Sequence, residues 1–87
     1  MSNTSSKASP DLMARIRTKI DKATESDERT AMFHFQVFLH APELESVNAT
    51  AFCKSLGMTE TFKTEFRKML NLRRMLAKQG YKLEGDA

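Results

Sequence analysis

Cysteine, proline, glycine and tryptophan are scarce in this sequence of 87 residues, which contains one, two, three and none of them respectively. A single cysteine excludes an intramolecular disulfide, and one cysteine with two separated histidines is too small a ligand set for structural zinc. So few glycines leave no glycine-rich loop to hold a phosphate, and no Ser/His/Asp or Cys/His grouping suggests catalysis. We therefore expect a protein that is not an enzyme and that holds no cofactor and no metal.

Long hydrophobic runs are also missing. The longest strongly apolar stretch, residues 31–39, is too short to cross a membrane and contains His34 and Gln36. The N-terminal residues are polar and show no apolar segment of a signal peptide. These features predict a cytoplasmic protein without membrane contact, and the sequence indicates no small-molecule substrate.

The formal net charge of +3 is unevenly distributed along the chain. Residues 1–22 carry five basic and two acidic side chains, residues 23–60 carry two and six, and residues 61–87 carry seven and three. An acidic middle between two basic ends indicates a directional electrostatic field rather than indiscriminate attraction.

The N-terminal half of the chain contains two predicted helices. Ser9 and Pro10 supply a capping side chain and a first-turn proline, so the first helix runs to about residue 23. Ser26 caps the second predicted helix, which ends before Pro42. Within that helix, residues 32–39 also alternate in a way that fits a half-buried strand. We favour a buried helix, because an isolated strand would leave its backbone groups unpaired.

The C-terminal half contains a short helix, a glycine turn and a long basic helix. Asn48 caps the short helix and Gly57 ends it. Thr59 is expected to cap the final helix, which runs to about residue 79, and Gly80 follows as its C-terminal cap. Before the short helix, residues 43–47 are expected to form a loop or a single turn.

These elements predict one all-α domain over residues 9–83, a compact bundle of about four helices with a long C-terminal helix. Residues 1–8 are rich in Ser, Thr and Asn and are expected to be disordered, and residues 84–87 are expected to fray. A chain this short buries a modest fraction of its surface, so its stability is slim unless it associates with itself.

Cations recur at helical spacing along the final helix. At about 100° per residue, Lys63, Arg67, Arg74 and Lys78 share one narrow arc with Asn71. Apolar side chains fill the opposite arc: Phe62, Phe66, Met69, Leu70, Leu72, Leu76 and Ala77. A polar face that only meets solvent usually mixes charges, whereas a row of Lys and Arg is the pattern expected for phosphate contact. An ordinary solvated face of an amphipathic helix is the alternative.

Arg73 falls in the middle of the apolar face of this helix. A charge does not stay buried without a partner. Three explanations fit: the helix has left the core by that turn, Arg73 meets Glu43 or Glu45, or it meets a second subunit. We favour the first.

The segment of residues 48–80 resembles the helix-turn-helix of small bacterial and phage transcription regulators. In that family the first helix offers an apolar residue, a small one and an apolar one directly before a turn glycine. The matching positions here, with the apolar residue that follows, are Phe52, Cys53, Leu56, Gly57 and Met58. The resemblance implies that the final helix lies in the DNA major groove with its N-terminal residues at the base edges.

The same resemblance implies a set of site residues. Lys63 and Arg67 would make the main base or phosphate contacts, and Arg74 and Lys78 would hold the backbone. The complete predicted site is Thr59, Thr61, Lys63, Thr64, Arg67, Asn71, Arg74 and Lys78. A second candidate patch near the N-terminus consists of Lys7, Arg15, Arg17 and Lys19.

Two functions of different classes fit the sequence. The first is a DNA-binding protein of the transcription-regulator type, a homodimer on duplex DNA. The alternative is a helical protein–protein interaction module or structural protein, in which six Met and six Phe fill a core or form an adaptable docking surface. Met13, Met32 and Met75 are the methionines expected to be exposed. RNA is a third partner that charge alone does not exclude.

Overall fold

The computed structural model of the protein describes residues 9–83, and five α-helices account for most of them. They are α1 (Pro10–Lys22), α2 (Ser26–Leu39), α3 (Ala41–Leu44), α4 (Ala49–Ser55) and α5 (Phe62–Lys78). This part of the chain contains no strand, so the predicted all-α bundle is confirmed, and the segment of residues 32–39 is helical. The disorder expected for residues 1–8 and the fraying expected for residues 84–87 lie outside the described residues.

Capping side chains start α1 and α4 where the sequence predicts. Ser9 Oγ accepts a hydrogen bond from the backbone N–H of Leu12 at 3.1 Å, and Asn48 Oδ1 accepts one from Ala51 at 2.9 Å. Each bond satisfies a backbone donor that has no partner within its own helix. α2 has no side-chain cap bond, and Ser26, predicted as its cap, is instead its first helical residue.

A short fifth element, α3, accounts for the difference between the predicted and observed numbers of helices. Pro42 lies in its first turn, where the missing N–H of proline has no helical partner to lose. The prediction of a loop or single turn at residues 43–47 therefore placed this turn slightly too late.

Three phenylalanines from three helices form the centre of the core. Phe33 of α2, Phe52 of α4 and Phe66 of α5 are fully buried. The ring centroids of Phe52 and Phe66 are 4.7 Å apart, and those of Phe33 and Phe52 are 5.9 Å apart. Such pairs contribute about 0.5–1.5 kcal/mol each beyond the area they bury. α1 adds the predicted aliphatic row, Leu12, Ile16 and Ile20.

α5 positions the candidate site, because it packs against α2, α3 and α4 and leaves its remaining surface to solvent. Met75 is 49% exposed, as predicted. Leu72, expected on the docked face, is 51% exposed, because it lies at least about 120° around the helix from the buried positions. The exposure expected for Met13 and Met32 is wrong, since both pack against the core.

Two arginines hold the C-terminal ends of helices other than their own. Arg29 of α2 donates from Nη1 to the carbonyl of Ile20 in α1 at 3.0 Å. Arg17 of α1 donates from Nη1 to the carbonyl of Ser55 in α4 at 2.7 Å. The last carbonyls of a helix lack intrahelical donors and lie at the negative end of its dipole, so a guanidinium is a suitable partner for both reasons.

Arg73 does the same for α2. Its Nη1 donates to the carbonyls of Phe38 and Leu39 at 2.7 and 2.9 Å. The guanidinium also lies 5.7 Å from the centroid of the Phe38 ring, within the range of a cation–π contact. Arg73 is half-buried, so α5 still packs on the core at this turn, and the explanation we favoured from the sequence is wrong.

Within residues 9–83, none of the helices combines the length and the apolar character needed to span a membrane.

Candidate nucleic-acid interface

A glycine turn of residues 56–61 joins α4 to α5. Gly57 has a φ of 70°, in the left-handed region that favours glycine. Its N–H donates to the carbonyl of Lys54 at 3.1 Å, and the N–H of Met58 donates to the carbonyl of Cys53 at 2.9 Å. This pair of bonds is a Schellman motif, which satisfies the final carbonyls of α4 and turns the chain sharply towards α5.

α5 begins at Phe62, later than predicted, because Thr59 does not cap it. The cap position is Thr61, whose side chain makes no cap hydrogen bond. The hydroxyls of Thr59 and Thr61 bond to each other at 2.7 Å instead. The N–H groups of Phe62 and Lys63 donate to the carbonyls of Thr59 and Glu60, each at 3.0 Å, and these bonds lead the chain into the helix.

The remaining predicted site residues all lie on α5. Lys63 is half-buried beside the turn, and Thr64 is exposed. The other four are exposed along the rest of the helix: Arg67, Asn71, Arg74 and Lys78. We call Lys63, Arg67, Arg74 and Lys78, with Asn71 among them, the basic stripe.

An open groove of about 430 Å³ runs beside the basic stripe. α5 forms one wall, and the segment between α3 and α4 forms the other. The lining residues are Glu45, Val47, Asn48, Ala49, Phe66, Arg67, Leu70, Asn71 and Arg74. The stripe therefore borders a concave surface with an apolar floor and polar rims.

Acidic side chains already neutralise part of the basic stripe. Lys63 Nζ lies 3.6 Å from Glu60 Oε1. Arg74 Nη2 contacts Glu45 Oε1, and Arg74 Nη1 donates to Asn71 Oδ1 at 2.7 Å. The side chains of both ion pairs are 37–65% exposed, and pairs that accessible to solvent are weak, so an anionic ligand can replace the carboxylate.

Arg67 and Lys78 differ from the other two cations. Among residues 9–83, neither has an ion pair or a side-chain hydrogen bond. Arg67 lies near the start of α5 and borders the groove. Of the two cations that line this groove, Arg67 is therefore the one without an acidic partner among the described residues, since Arg74 is paired with Glu45.

Glu65, in the first turn of α5, is held by α2. His34 Nε2 lies 2.8 Å from Glu65 Oε1, and Lys68 Nζ lies 3.5 Å from Glu65 Oε2. The hydrogen bond with His34, with a smaller contribution from Lys68, holds the pKa of Glu65 below its usual value. The negative charge at the start of α5 is thus partly compensated, and Lys68 is exposed about 100° around α5 from Arg67, outside the basic stripe.

Within residues 9–83, the cations of the second candidate patch do not all have the same role. Arg15 and Lys19 are exposed on α1. Arg17 is committed to the carbonyl of Ser55 and to an exposed ion pair within α1, so it holds the helices together. Lys7 lies outside the described residues.

The chemistry of the interface is that of cations and hydrogen-bond donors. Residues 9–83 contain no cluster of His, Cys, Asp or Glu that would hold a metal ion. Cys53 is buried in α4, and burial raises the pKa of its thiol, which disfavours the reactive thiolate. Such a surface is suited to binding an anion.

Glu45 lines the groove but does not belong to the predicted site. It was considered as a partner of Arg73, but it pairs with the neighbouring Arg74. The contact spans 29 positions in the chain and depends on how α3 packs against α5. The only sequence signal was the presence of an acid after Pro42.

A family model described as an HTH-like domain matches residues 8–79. The match covers all five helices, so the helix-turn-helix-like assignment, made from residues 48–80, is confirmed and extends to α1, α2 and α3. No curated protein and no solved structure matches the chain.

Proposed function

We propose, because the chain belongs to the HTH-like domain family, that it is a small, non-enzymatic DNA-binding protein of the transcription-regulator type. The observation that carries this proposal is the exposed basic stripe of α5 behind the Gly57 turn. Lys and Arg that neutralise phosphates provide the sequence-independent part of DNA affinity. Arg67, which has no acidic partner among the described residues, is the residue on which the proposal chiefly depends.

The length of α5 divides the stripe into two parts. Its 17 residues extend about 25 Å at 1.5 Å per residue, about twice the width of the DNA major groove. The N-terminal part of α5, with Thr64 and Arg67, enters the major groove of the DNA, where Arg contacts guanine edges or phosphate. Lys78, about 16 Å further along the axis than Arg67, reaches the flanking backbone.

A protein-contact role is the second candidate function. The observation that favours it is a group of large apolar side chains that are 49–68% exposed: Phe35, Leu72, Met75 and Tyr81. Leu72 lies about 140° around α5 from Arg67, on a different face from the stripe, and Met75, about 80° from Arg67, lies between that face and the stripe. A contact between two copies of the chain through this face is compatible with DNA binding through the stripe.

The experiment that tests the proposal measures binding to a random-sequence duplex by fluorescence anisotropy over a salt series. The test variant is Arg67→Gln, and the matched control is Lys68→Gln, which removes the same charge from the next residue of α5. We expect wild-type affinity to fall steeply with salt. Arg67→Gln is expected to weaken binding and to reduce the salt slope by about 0.9, while Lys68→Gln changes the slope little.

Two results contradict the proposal. One is an absence of binding at micromolar protein in low salt, or binding that is independent of salt. The other is an equal effect of the Arg67 and Lys68 variants, which would indicate attraction to net charge without an oriented contact. Self-association in ultracentrifugation, together with unchanged amide NMR spectra on DNA addition, would favour the protein-contact function.

A further inference from the structure

One ion pair, between Glu45 and Arg74, lies between two grooves. Glu45 follows α3 at its C-terminal cap position, and its carboxylate reaches across to the guanidinium on α5. Both residues line the groove beside the basic stripe. Both also line a second groove of about 450 Å³, which includes Pro42 and Tyr81. The pair is therefore the partition between the two grooves.

Arg74 and Arg67 point in nearly the same direction from α5, but among residues 9–83 only Arg74 has an acidic partner. They are seven residues apart, so they point within about 20° of each other and are separated by about 10 Å along the axis. Both are exposed. Glu45 contacts Arg74, whereas Arg67 has no acidic partner among residues 9–83. The two arginines are thus alike in exposure, and they differ in whether a carboxylate already neutralises the guanidinium.

The Glu45–Arg74 pair is exposed enough to be exchanged. The side chains are 39% and 55% exposed, and ion pairs in such surroundings are weak. A phosphate that takes Arg74 leaves the carboxylate of Glu45 without its cation and beside a second negative charge. A phosphate contact of Arg74 therefore requires the displacement of Glu45, whereas a phosphate contact of Arg67 requires no such displacement.

We propose that Glu45 competes with DNA phosphate for Arg74 and so acts as a specificity-determining residue of the site. This inference rests on the proposed DNA-binding function. Non-specific binding comes almost entirely from phosphate contacts, so the loss of one contact weakens it directly. A specific site adds base contacts through the start of α5, which compensate for the displacement of Glu45.

The test is a double-mutant cycle on the full chain. Glu45→Gln removes the competing charge, and Arg74→Gln removes the cation, alone and combined with Glu45→Gln. The matched control is Glu43→Gln, an exposed acid of α3 without an ion pair among the described residues. Each variant is titrated with random-sequence duplex DNA over a salt series, and circular dichroism verifies that it is folded.

We expect Glu45→Gln to bind random DNA several-fold more tightly, with a salt slope steeper by about 0.9, one further phosphate contact. Arg74→Gln should weaken binding less while Glu45 is present than in the Glu45→Gln background, where it should abolish the gain. The proposal is overturned if Glu45→Gln and Glu43→Gln behave alike, or if Arg74→Gln weakens binding equally in both backgrounds. If neither the wild type nor any variant binds DNA, the proposed function and this inference fail together.

Discussion

A substitution of Arg17 tests whether this cation stabilises the fold or contacts DNA. Its Nη1 donates to the carbonyl of Ser55 at 2.7 Å, and its Nε lies 3.5 Å from Asp21 Oδ2. The substitution Arg17→Met keeps the aliphatic stem and removes the guanidinium. We expect this variant to lose stability, because the end of α4 loses its only side-chain donor from another helix among the described residues.

The magnitude follows from two contacts. A hydrogen bond with a charged donor contributes about 1.5–3 kcal/mol, and the lower part of that range applies here because the side chain is 52% exposed. The exposed pair with Asp21 adds about 0.3–0.5 kcal/mol. Water partly replaces both contacts in the variant, so the expected loss is about 1–2 kcal/mol. For a domain of this size, that lowers the melting temperature by about 4–16 °C.

Urea unfolding followed by circular dichroism measures the loss, with Arg15→Met as the control on the same helix. Arg15 is exposed, so its variant is expected to remain within about 0.5 kcal/mol of the wild type. The DNA salt slope of Arg17→Met should equal that of the wild type. A stable Arg17→Met protein whose slope falls by about 0.9 would refute the reasoning, since it would make Arg17 a phosphate contact.

Two further predictions concern the glycine turn and the loss of stability at low pH. Gly57→Ala should lower the free energy of unfolding by about 1–2 kcal/mol, because alanine disfavours the left-handed backbone of this position. The new Cβ would meet Arg17 Nη2 at 3.5 Å, an ordinary contact distance, so no steric clash adds to this cost. In urea unfolding, Gly80→Ala should cost less, since fraying at the end of α5 relieves the strain; equal costs would contradict this. The folded-state pKa of Glu65 is lowered, so its contribution to stability is complete above the usual glutamate value of about 4.3 and is lost as the pH falls through the lower folded value. Melting temperatures between about pH 2.5 and 6 should therefore fall less for Glu65→Gln than for the wild type, and parallel profiles would exclude the role of His34.

The parts of the fold that follow from local chemistry could be read from the sequence. Ser9 and Asn48 cap their helices because their side chains reach backbone donors three residues away. Gly57 and Gly80 have φ values of 70° and 89°, which almost only glycine adopts readily. The start of α5 was misplaced, because Thr59 is a suitable cap by residue type but its hydroxyl bonds to another threonine.

The parts that depend on contacts between helices could not be read from the sequence. A helical wheel identifies the exposed side of α5, and this predicted the row of cations without any knowledge of neighbouring helices. It does not show that Arg74 faces Glu45, or that Arg17 reaches Ser55, because these contacts span 29 and 38 positions. Which cations of the candidate site are paired with acids and which are not therefore depends on how the helices pack against each other.

The arginine contacts described above connect the helices in series. Arg73 ties α5 to the end of α2, Arg29 ties α2 to the end of α1, and Arg17 ties α1 to the end of α4. The last turn of each tied helix cannot unwind without breaking a contact with a different helix. Local opening, which ordinarily begins at helix ends, is thereby coupled to the opening of the whole bundle. A domain with a small core can in this way unfold as one cooperative unit.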